Sequence, residues 1–379
     1  MSKSQIVTGG IADDAVTANK TFGVARPNAK PLIINGNMAV AQRGTSFNPS
    51  SSSIYTVDRF KYETTSGATG DATITQEADA PASTNLRKSL KISPDATETL
   101  TGGQNIVFST ALEGQDVQVL GHGTSSPPKA TLSFWVKSSK TGTYCVQVKE
   151  ETITGESYLL FEYSISQANT WEQKILTWTG NSTHTLNDDN ASGFRVVWHL
   201  ACGSDDHASA TTTWTDATPF KATSNQVNFF DSTSNNWYLT GVQLEVGEYT
   251  SATLPPFQHE SYGENLIRCL RYFYCPNMNG ESYTSIGQGG GYNSSRIDVP
   301  VFFPVPMRTA PSVSLSGGTA IRFEGNAEDI TGSAISIGNV ATTTGDVFNN
   351  SLSGVNQGYA YRLYLNDSGT TKMFFNSEL

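Results

Sequence analysis

The chain has 379 residues, with 34 acidic and 24 basic side chains and a formal charge of −10. Binding to a nucleic-acid backbone needs clustered Lys and Arg, and no such cluster occurs, so no nucleic-acid partner is expected. No apolar run approaches the ~18 residues that span a bilayer, so no membrane insertion is expected. Charged residues make up 15% of the chain, and the polar surface that this implies is typical of extracellular or virion-surface proteins.

Residues 1–30 differ in composition from the rest of the chain. The stretch TGGIADDAVTANK, from Thr8 to Lys20, is small and polar, and its apolar residues are scattered among turn formers. A segment of this kind cannot bury enough apolar surface to fold alone. We therefore expect an extended N-terminal segment that becomes ordered by packing against copies of itself or against another protein.

From residue 31 onward the hydrophobic pattern changes to a period of two. In ATLSFWVKSS, Leu132, Phe134 and Val136 share one face, whereas Trp135 lies on the other face among Thr, Ser and Lys. The runs TYCVQVKEE, YLLFEYSI and GFRVVWHLA have the same strand length and similar β-branched and aromatic content. Many short strands without long helical patterns predict a mainly β protein, with a jelly-roll β-sandwich domain over residues 31–257.

The run YLTGVQLEVG is predicted to be the last strand of this domain. Strict alternation places Leu239, Gly241 and Gln243 on one face of that strand. Pro255 and Pro256 follow, and two prolines cannot continue a central strand. The domain boundary is therefore expected at residue 257.

The stretch SYGENLIRCLRYF predicts one short helix. Ser261 suits the N-cap, Glu264 completes a capping box, and Leu266, Ile267 and Leu270 form an apolar stripe. The later runs IDVPVFFPVPMR, SVSLSG and YAYRLYLND are typical of strands. They predict a smaller C-terminal β-sandwich domain, so that the helix and this sandwich occupy residues 258–379.

The sequence contains no recognisable catalytic motif. There is no H-E-x-x-H, no G-x-S-x-G and no phosphate-binding loop. The cluster Asp205, Asp206 and His207 is interpreted as a solvated loop, with a metal ligand set or a catalytic base as the alternative. The stretch LNDDNAS is interpreted in the same way, with Ca²⁺ binding as its alternative. No catalytic residue, metal or cofactor is assigned, and the chain is not expected to be an enzyme.

Three tryptophans are candidates for glycan binding. Trp135, Trp178 and Trp214 each stand among polar neighbours. A flat aromatic face beside polar groups can stack on a sugar ring, whereas packing under a loop or at a subunit interface is the alternative. The sequence therefore predicts a glycan-binding role for these three residues.

Several stretches together resemble bacteriophage tail-fibre and related virion proteins. They are GGIADDAVTANK near the N-terminus, LIINGNMAVAQRGTSF followed by YTVDRF, VNFFDSTSNNWYLTGVQLEVG, PFQHESYGENLIRCLRYFY and PVPMRTAPSVS. These stretches span most of the chain. The resemblance implies a virion appendage protein with a carbohydrate-binding-like sandwich, and it supplies no catalytic residues.

The resemblance also implies partners and a location. It implies a homotrimer in the virion, made in the host cytoplasm, whose N-terminal segment docks onto other virion proteins. The residues assigned to docking and trimerisation are Ile11, Ala12, Asp13, Asp14, Ala15 and Val16. A short fibre or fibre subunit that adsorbs to a host-surface glycan or protein is the expected function. The alternatives are a head decoration or tail adaptor without a receptor, and a polysaccharide depolymerase.

Overall fold

Alternating strand sequences fold here into two β-sandwiches that follow one another along the chain. The computed structural model describes residues 30–152, 155–216, 220–281, 283–317, 321–325, 328–365 and 371–379. The expected N-terminal segment, with Ile11 to Val16, lies outside the described residues. The domain limits at residues 30 and 257 stay a prediction.

The first sandwich is built from thirteen described strands. They are β1 (Ser46–Phe47), β2 (Ile54–Tyr55), β3 (Phe60–Thr65), β4 (Ala72–Glu77), β5 (Ser89–Pro94), β6 (Asn105–Glu113), β7 (Lys129–Ser138), β8 (Gly142–Thr152), β9 (Gly155–Ile165), β10 (Glu172–Thr179), β11 (Ser192–Cys202), β12 (Thr211–Asp216) and β13 (Trp237–Val246). Sheet A has the order β1-β4-β5-β13-β7-β10, and sheet B has the order β12-β9-β8-β11-β6-β3-β2. The chain passes repeatedly from one sheet to the other, as in a jelly roll.

The two sheets enclose one core because their inward positions are apolar. Phe134 and Trp198 meet edge to face across the sheets at 5.6 Å between ring centroids, and Phe108 and Trp237 meet at 6.1 Å. All four rings are fully buried. This packing fixes which face of each sheet is turned outward, and so determines where a surface site can lie.

The second part of the chain begins with one helix and continues in ten described strands. They are α1 (Tyr262–Leu270), β14 (Phe273–Tyr274), β15 (Ser285–Asn293), β16 (Arg296–Phe302), β17 (Ser312–Ser316), β18 (Ile321–Gly325), β19 (Glu328–Gly332), β20 (Ser336–Gly338), β21 (Thr344–Asn349), β22 (Ala360–Leu365) and β23 (Lys372–Asn376). A three-stranded sheet, β14-β23-β17, and a seven-stranded sheet, β19-β18-β22-β15-β16-β21-β20, enclose a second core. The prediction of a mainly β fold, with a β-sandwich followed by a short helix and a smaller C-terminal β domain, is confirmed.

Helix α1 has the predicted N-cap but a different buried face. The Ser261 side chain caps the Glu264 backbone, and the Glu264 side chain accepts from the Ser261 N–H. The buried residues are Asn265 and Cys269, whereas Ile267 is 55% exposed. The predicted stripe is therefore wrong at Ile267, because the helix packs against a polar joint rather than an apolar core.

Candidate functional site

Trp135 lies on the outer face of sheet A because its neighbours in β7 face the core. Phe134 and Val136 are fully buried, whereas Trp135 is half-buried. Directly paired residues of antiparallel strands share a face. Gln173 of β10 and Thr240 of β13 pair with Trp135 from either side, so both lie on the outer side of sheet A, where Thr240 is itself fully buried.

A β-bulge in β13 makes room beside the indole. The pairing of β13 with β7 shifts between Thr240 and Gln243, and Gly241 has a φ of 60°. A Cβ at Gly241 would lie 2.7 Å from Leu86 Cδ1 and 3.0 Å from Trp135 Cδ1. The bulge also reverses the face of the following residues. Strict alternation was therefore wrong here, since Leu239 is buried in the core whereas Gln243 lies on the outer face.

Two segments project from the outer face of sheet A on either side of Trp135. Together they form a cleft of about 490 Å³. One wall is the loop between β4 and β5, and the other is the segment after β13. The residues that line the cleft are Ala82, Ser83, Thr84, Asn85, Leu86, Trp135, Gln173, Gly241, Gln243, Ser251, Leu254, Pro255, Pro256, Phe257 and His259. We call this site the Trp135 cleft. Its aromatic residues are Trp135, Phe257 and His259.

The polar groups of the Trp135 cleft are amides, hydroxyls and one imidazole. Gln173 Nε2 donates to Ser133 Oγ at 3.0 Å, and Gln243 Nε2 donates to the Pro255 carbonyl at 3.1 Å. These bonds hold both amide planes in place. None of the residues that line the cleft carries a carboxylate, so the lining provides no acid–base pair for hydrolysis.

His259 adds an ionisable group at the rim. Its ring meets that of Phe257 edge to face, with centroids 5.1 Å apart. Desolvation and the positive charge of Arg87 hold the pKa of the His259 imidazole below its ordinary value. The side chain is therefore mostly neutral at pH 7, where it can donate through one nitrogen and accept through the other.

The structure corrects the prediction for Trp178. This residue pairs with Ala130 of β7, on the same face as the buried Leu132. The indole is 3% exposed, stacks on Phe194 and tilts against Phe161. No ring face is left for a sugar. The polar residues next to Trp178 in the sequence led the interpretation to the wrong face.

Trp214 lies apart from the Trp135 cleft, on the edge strand β12 of sheet B. Its indole N–H donates to the Thr179 carbonyl at 2.9 Å, and its half-buried ring meets His122 at 5.1 Å. The structure thus separates the three tryptophans instead of bringing them together. Glycan stacking on Trp214 stays a prediction.

A buried polar cluster that sequence reasoning missed lies behind Trp214. Glu150 Oε2 and His122 Nδ1 are 2.6 Å apart, and neither side chain is exposed. Asn181 and Ser157 also donate to the Glu150 carboxylate. The alternation of β8 could have predicted this burial, because Glu150 lies two positions after Val148 and therefore on the same inward face as Val146 and Val148. Its complete enclosure indicates a structural role.

The Asp205–His207 cluster forms a tethered surface loop. Asp206 accepts from Asn105 Nδ2 at 2.6 Å and pairs with Lys221 Nζ at 2.9 Å. Among the described ranges, no group of three or more His, Cys, Asp or Glu side chains could hold a metal ion. Asn190, in the second acidic loop, instead exchanges hydrogen bonds with Arg308 of the second sandwich.

Three of the stretches that carry the phage resemblance, those with Gln42, with Asp58 and Arg59, and with Tyr272 and Phe273, meet in a buried polar joint between the two sandwiches. Gln42 Nε2 donates to Asp58 Oδ1 at 2.7 Å and to the Phe273 carbonyl at 2.8 Å. Arg59, stacked 3.5 Å from the Tyr272 ring, pairs with the carboxylate of Glu378. These contacts of Gln42, Arg59 and Glu378 therefore hold the two sandwiches together.

Comparisons with known proteins give partial structural similarity. No protein-family model matches the chain, and a search of curated proteins finds no match. The enzymatically active domain of tailspike protein 4 of bacteriophage CBA120 is similar over 57% of this chain, with 13% identity and a TM-score of 0.30. The chain covers only 21% of that tailspike chain.

Two carbohydrate-binding modules are similar over about half of the chain. The family 11 module from Clostridium thermocellum, solved with a β-1,3-1,4-mixed-linked tetrasaccharide, shows 11% identity and a TM-score of 0.28 over 54% of this chain and 97% of its own. The CBM22-2 xylan-binding domain of Paenibacillus barcinonensis Xyn10C shows 15% identity and a TM-score of 0.28 over 49% and 91%. Within the described residues, no helix is long and apolar enough to cross a membrane.

Proposed function

We propose that this chain is a short fibre or fibre subunit of a bacteriophage virion, and that its first sandwich binds a host-surface glycan in the Trp135 cleft. The observation that carries the glycan proposal is the lining of the cleft. A half-buried indole forms its floor, amide and hydroxyl side chains surround that floor, and no carboxylate lines it. Such a site can bind a sugar but lacks the groups that would cleave one.

The chemistry of the cleft suits a sugar ring in two ways. The axial C–H groups of a pyranose present an apolar face, and this face stacks on an indole while excluding water from both. The hydroxyls at the rim of the ring need donors and acceptors, which Gln173 and Asn85 supply. Gln243 offers only its carbonyl oxygen, because its Nε2 already donates to Glu245 Oε1 and to the Pro255 carbonyl. Because the bonds to Ser133 and Pro255 hold the two glutamines in place, little side-chain entropy is lost on binding.

The virion role is supported by the resemblance of the joint sequences to those of phage fibre proteins. The homotrimer, the docking of residues 1–30 onto other virion proteins and the virion location belong to the same proposal. Light scattering of the purified protein gives its oligomeric mass, and immunogold labelling of phage particles gives its location. A monomer at micromolar concentration would contradict the trimer.

Trp135→Ala is the variant that tests the cleft. Loss of the stacked ring should weaken binding to purified host-surface polysaccharide by about tenfold or more, equivalent to about 1.4 kcal/mol. Titration calorimetry measures this change. Trp178→Phe, a core variant, serves as the control and should keep wild-type affinity, because its 3% exposed indole cannot reach a ligand.

The alternatives predict different results in the same experiment. A decoration or adaptor protein would bind neither the polysaccharide nor susceptible cells. A depolymerase would shorten the polymer during prolonged incubation, which size-exclusion chromatography would reveal. Equal affinity of Trp135→Ala and the wild type would place the glycan elsewhere on the protein.

A further inference from the structure

The loop that forms one wall of the Trp135 cleft is fastened across sheet A by a single carboxylate. Asp79 lies in the β4–β5 loop and pairs with Lys137 Nζ of β7. Its second oxygen, Oδ1, accepts from the indole N–H of Trp171 at 3.1 Å. Trp171 directly precedes β10, so Asp79 joins its own loop to two further elements of the sheet. We call Asp79, Lys137 and Trp171 the latch.

Aromatic rings hold the lysine of the latch in position. Lys137 Nζ lies 4.0 Å from the ring centroid of Tyr238 and 5.2 Å from that of Trp171. Its side chain is only 12% exposed, whereas that of Asp79 is 45% exposed. A lysine enclosed in this way loses little further freedom when it pairs, so the ion pair is more favourable than one between two mobile side chains.

The latch is placed to control the wall of the cleft. The Ser89 hydroxyl donates to the backbone carbonyl of Asp79 at 2.6 Å. This bond fixes the backbone near the point where the loop leaves β4. Three residues after Asp79, the wall of the cleft begins at Ala82 and extends to Leu86. The far end of the loop is tied separately, because Thr240 Oγ1 donates to the Lys88 carbonyl at 2.6 Å. The latch therefore holds the N-terminal end of the loop, on the side where the wall begins at Ala82.

Resting on the proposed function, we infer that Asp79 is a positioning residue for glycan binding. Asp79 does not line the cleft. It holds the 78–88 loop against Lys137 and Trp171, and thereby sets the distance between the Ala82–Leu86 wall and the Trp135 floor. A ligand enclosed between the wall and the floor depends on that distance for its hydrogen bonds to the wall.

The charges around the latch define its pH range. Lys137 and the Trp171 N–H hold the pKa of the Asp79 carboxyl below its ordinary value, although desolvation acts in the opposite direction. Two further charged residues, Glu77 and Lys91, lie near the Tyr238 ring. Their charges have opposite signs, so their effects on the latch oppose each other. The latch is therefore present at neutral pH and is lost as the pH falls through the lowered pKa of Asp79.

Asp79→Asn tests this assignment, and Asp231→Asn is its matched control. Asp231 pairs with Lys140 Nζ at 2.6 Å and accepts from Asn235, and its side chain is 47% exposed, close to that of Asp79. Asp231 belongs to neither the latch nor the cleft lining. The two variants remove the same charge from the same sandwich, so a general loss of stability should affect both equally.

Hydrogen exchange reports on the latch without any ligand. In Asp79→Asn, amides of residues 80–88 should exchange about fivefold faster or more, whereas Asp231→Asn should leave them unchanged. Affinity for the polysaccharide should fall about threefold to tenfold in Asp79→Asn alone, with equal melting temperatures for the two variants. Trp171→Phe, which keeps a ring but removes the donor, should show a smaller change in the same direction.

The outcomes separate this inference from the proposed function. Unchanged exchange over residues 80–88 would show that the latch does not hold the loop. Faster exchange with unchanged affinity would refute the positioning role while leaving glycan binding intact. Absence of polysaccharide binding by the wild-type protein would refute the proposed function, and the positioning role of Asp79 with it.

Discussion

At the scale of single residues, the imidazole of His199 has an unusual environment. It lies fully buried beside Phe220 on the outer side of sheet B, with ring centroids 6.4 Å apart. Neither ring nitrogen has a hydrogen-bond partner among the described residues. Burial lowers the pKa of His199 to about 3, and the Asp206 carboxylate opposes this shift only in part. His199 is thus neutral in the folded protein near pH 7.

This pKa shift predicts acid-sensitive stability. An unfolded histidine titrates near pH 6.5, so between that pH and about 3 the unfolded chain binds a proton that the folded chain does not. The free energy of unfolding should therefore fall as the pH falls below 6.5, by roughly 2–3 kcal/mol at pH 4.5 from this group. Urea denaturation at a series of pH values measures the change.

His199→Leu should remove most of that acid sensitivity, since leucine has no group to protonate. His207→Gln is the control, because it removes an imidazole that is exposed in the folded protein. If the stability of His199→Leu varies with pH as steeply as that of the wild type, another group is responsible for the acid sensitivity.

Alternation within one strand predicted the face occupied by Trp135 but not the face occupied by Trp178. Alternation within β7 correctly placed Trp135 opposite Phe134. Alternation within β10 could not place Trp178, because Lys174 and Leu176 share its parity and suggest different environments. Pairing with Ala130 of β7 resolves the ambiguity, and strand pairing is a property of two distant segments rather than of one.

At the scale of elements, the bulge in β13 shapes the Trp135 cleft. Gly241 adopts a positive φ and lets the indole and Leu86 approach the backbone. The sequence offered only an isolated glycine inside a strand pattern, which is a known sign of a bulge or a close approach. The exact shift in register depends on the partner strand β7, so alternation alone gave the wrong face.

Gly241→Ala should disturb stability and binding together. An alanine at this φ is strained by about 1–2 kcal/mol, and its methyl group would collide with Leu86 and Trp135. We expect a lower melting temperature and at least a severalfold loss of polysaccharide affinity. Gly263→Ala in α1 is the control, because a Cβ there meets nothing within 4 Å. Wild-type affinity of Gly241→Ala would show that the bulge does not set the cleft.

Local signals predicted the elements themselves well. The capping box at Ser261 and Glu264 involves residues three positions apart, so the sequence alone can define it. The buried face of α1 could not be predicted, because Asn265 is buried through its bonds to Asn35 and Asn37, more than two hundred residues earlier. The cleft walls were missed for the same reason, since residues 82–86 and 251–259 meet only in the folded sandwich.

At the scale of the whole molecule, the two sandwiches are joined by buried charge. The Glu378 carboxylate pairs with Arg59 and Arg43, and the side chains of Glu378 and Arg59 are each 2% exposed. Arg271 makes a bidentate pair with Glu113, at 2.6 Å for each bond. The sequence showed no sign of these pairs, because the partners are more than 150 positions apart.

Glu378→Gln should weaken the joint more than an exposed pair would suggest. It leaves the Arg59 guanidinium buried without its counter-ion, which should cost about 3 kcal/mol. We expect calorimetry to show a lower melting temperature, with the second sandwich unfolding before the first. Gln and Glu have nearly the same shape, so the loss would report the charge rather than a cavity.

Glu324→Gln is the matched control for this prediction. Glu324 pairs with Arg362 on the surface, where the two side chains are 51% and 46% exposed. Exposed pairs of this kind contribute about 0–1 kcal/mol. Equal effects of the two substitutions would mean that the Glu378 pair does not couple the sandwiches.

The joint also has a mechanical consequence. Glu378 with its two arginines, Arg271 with Glu113, and Arg308 with Asn190 all fasten the sandwiches, and Arg308 also donates to the Glu378 carbonyl. A force that pulls the sandwiches apart loads these groups in parallel, so none can open far while the others hold. Separation of the sandwiches should then require one abrupt rupture rather than a gradual peeling.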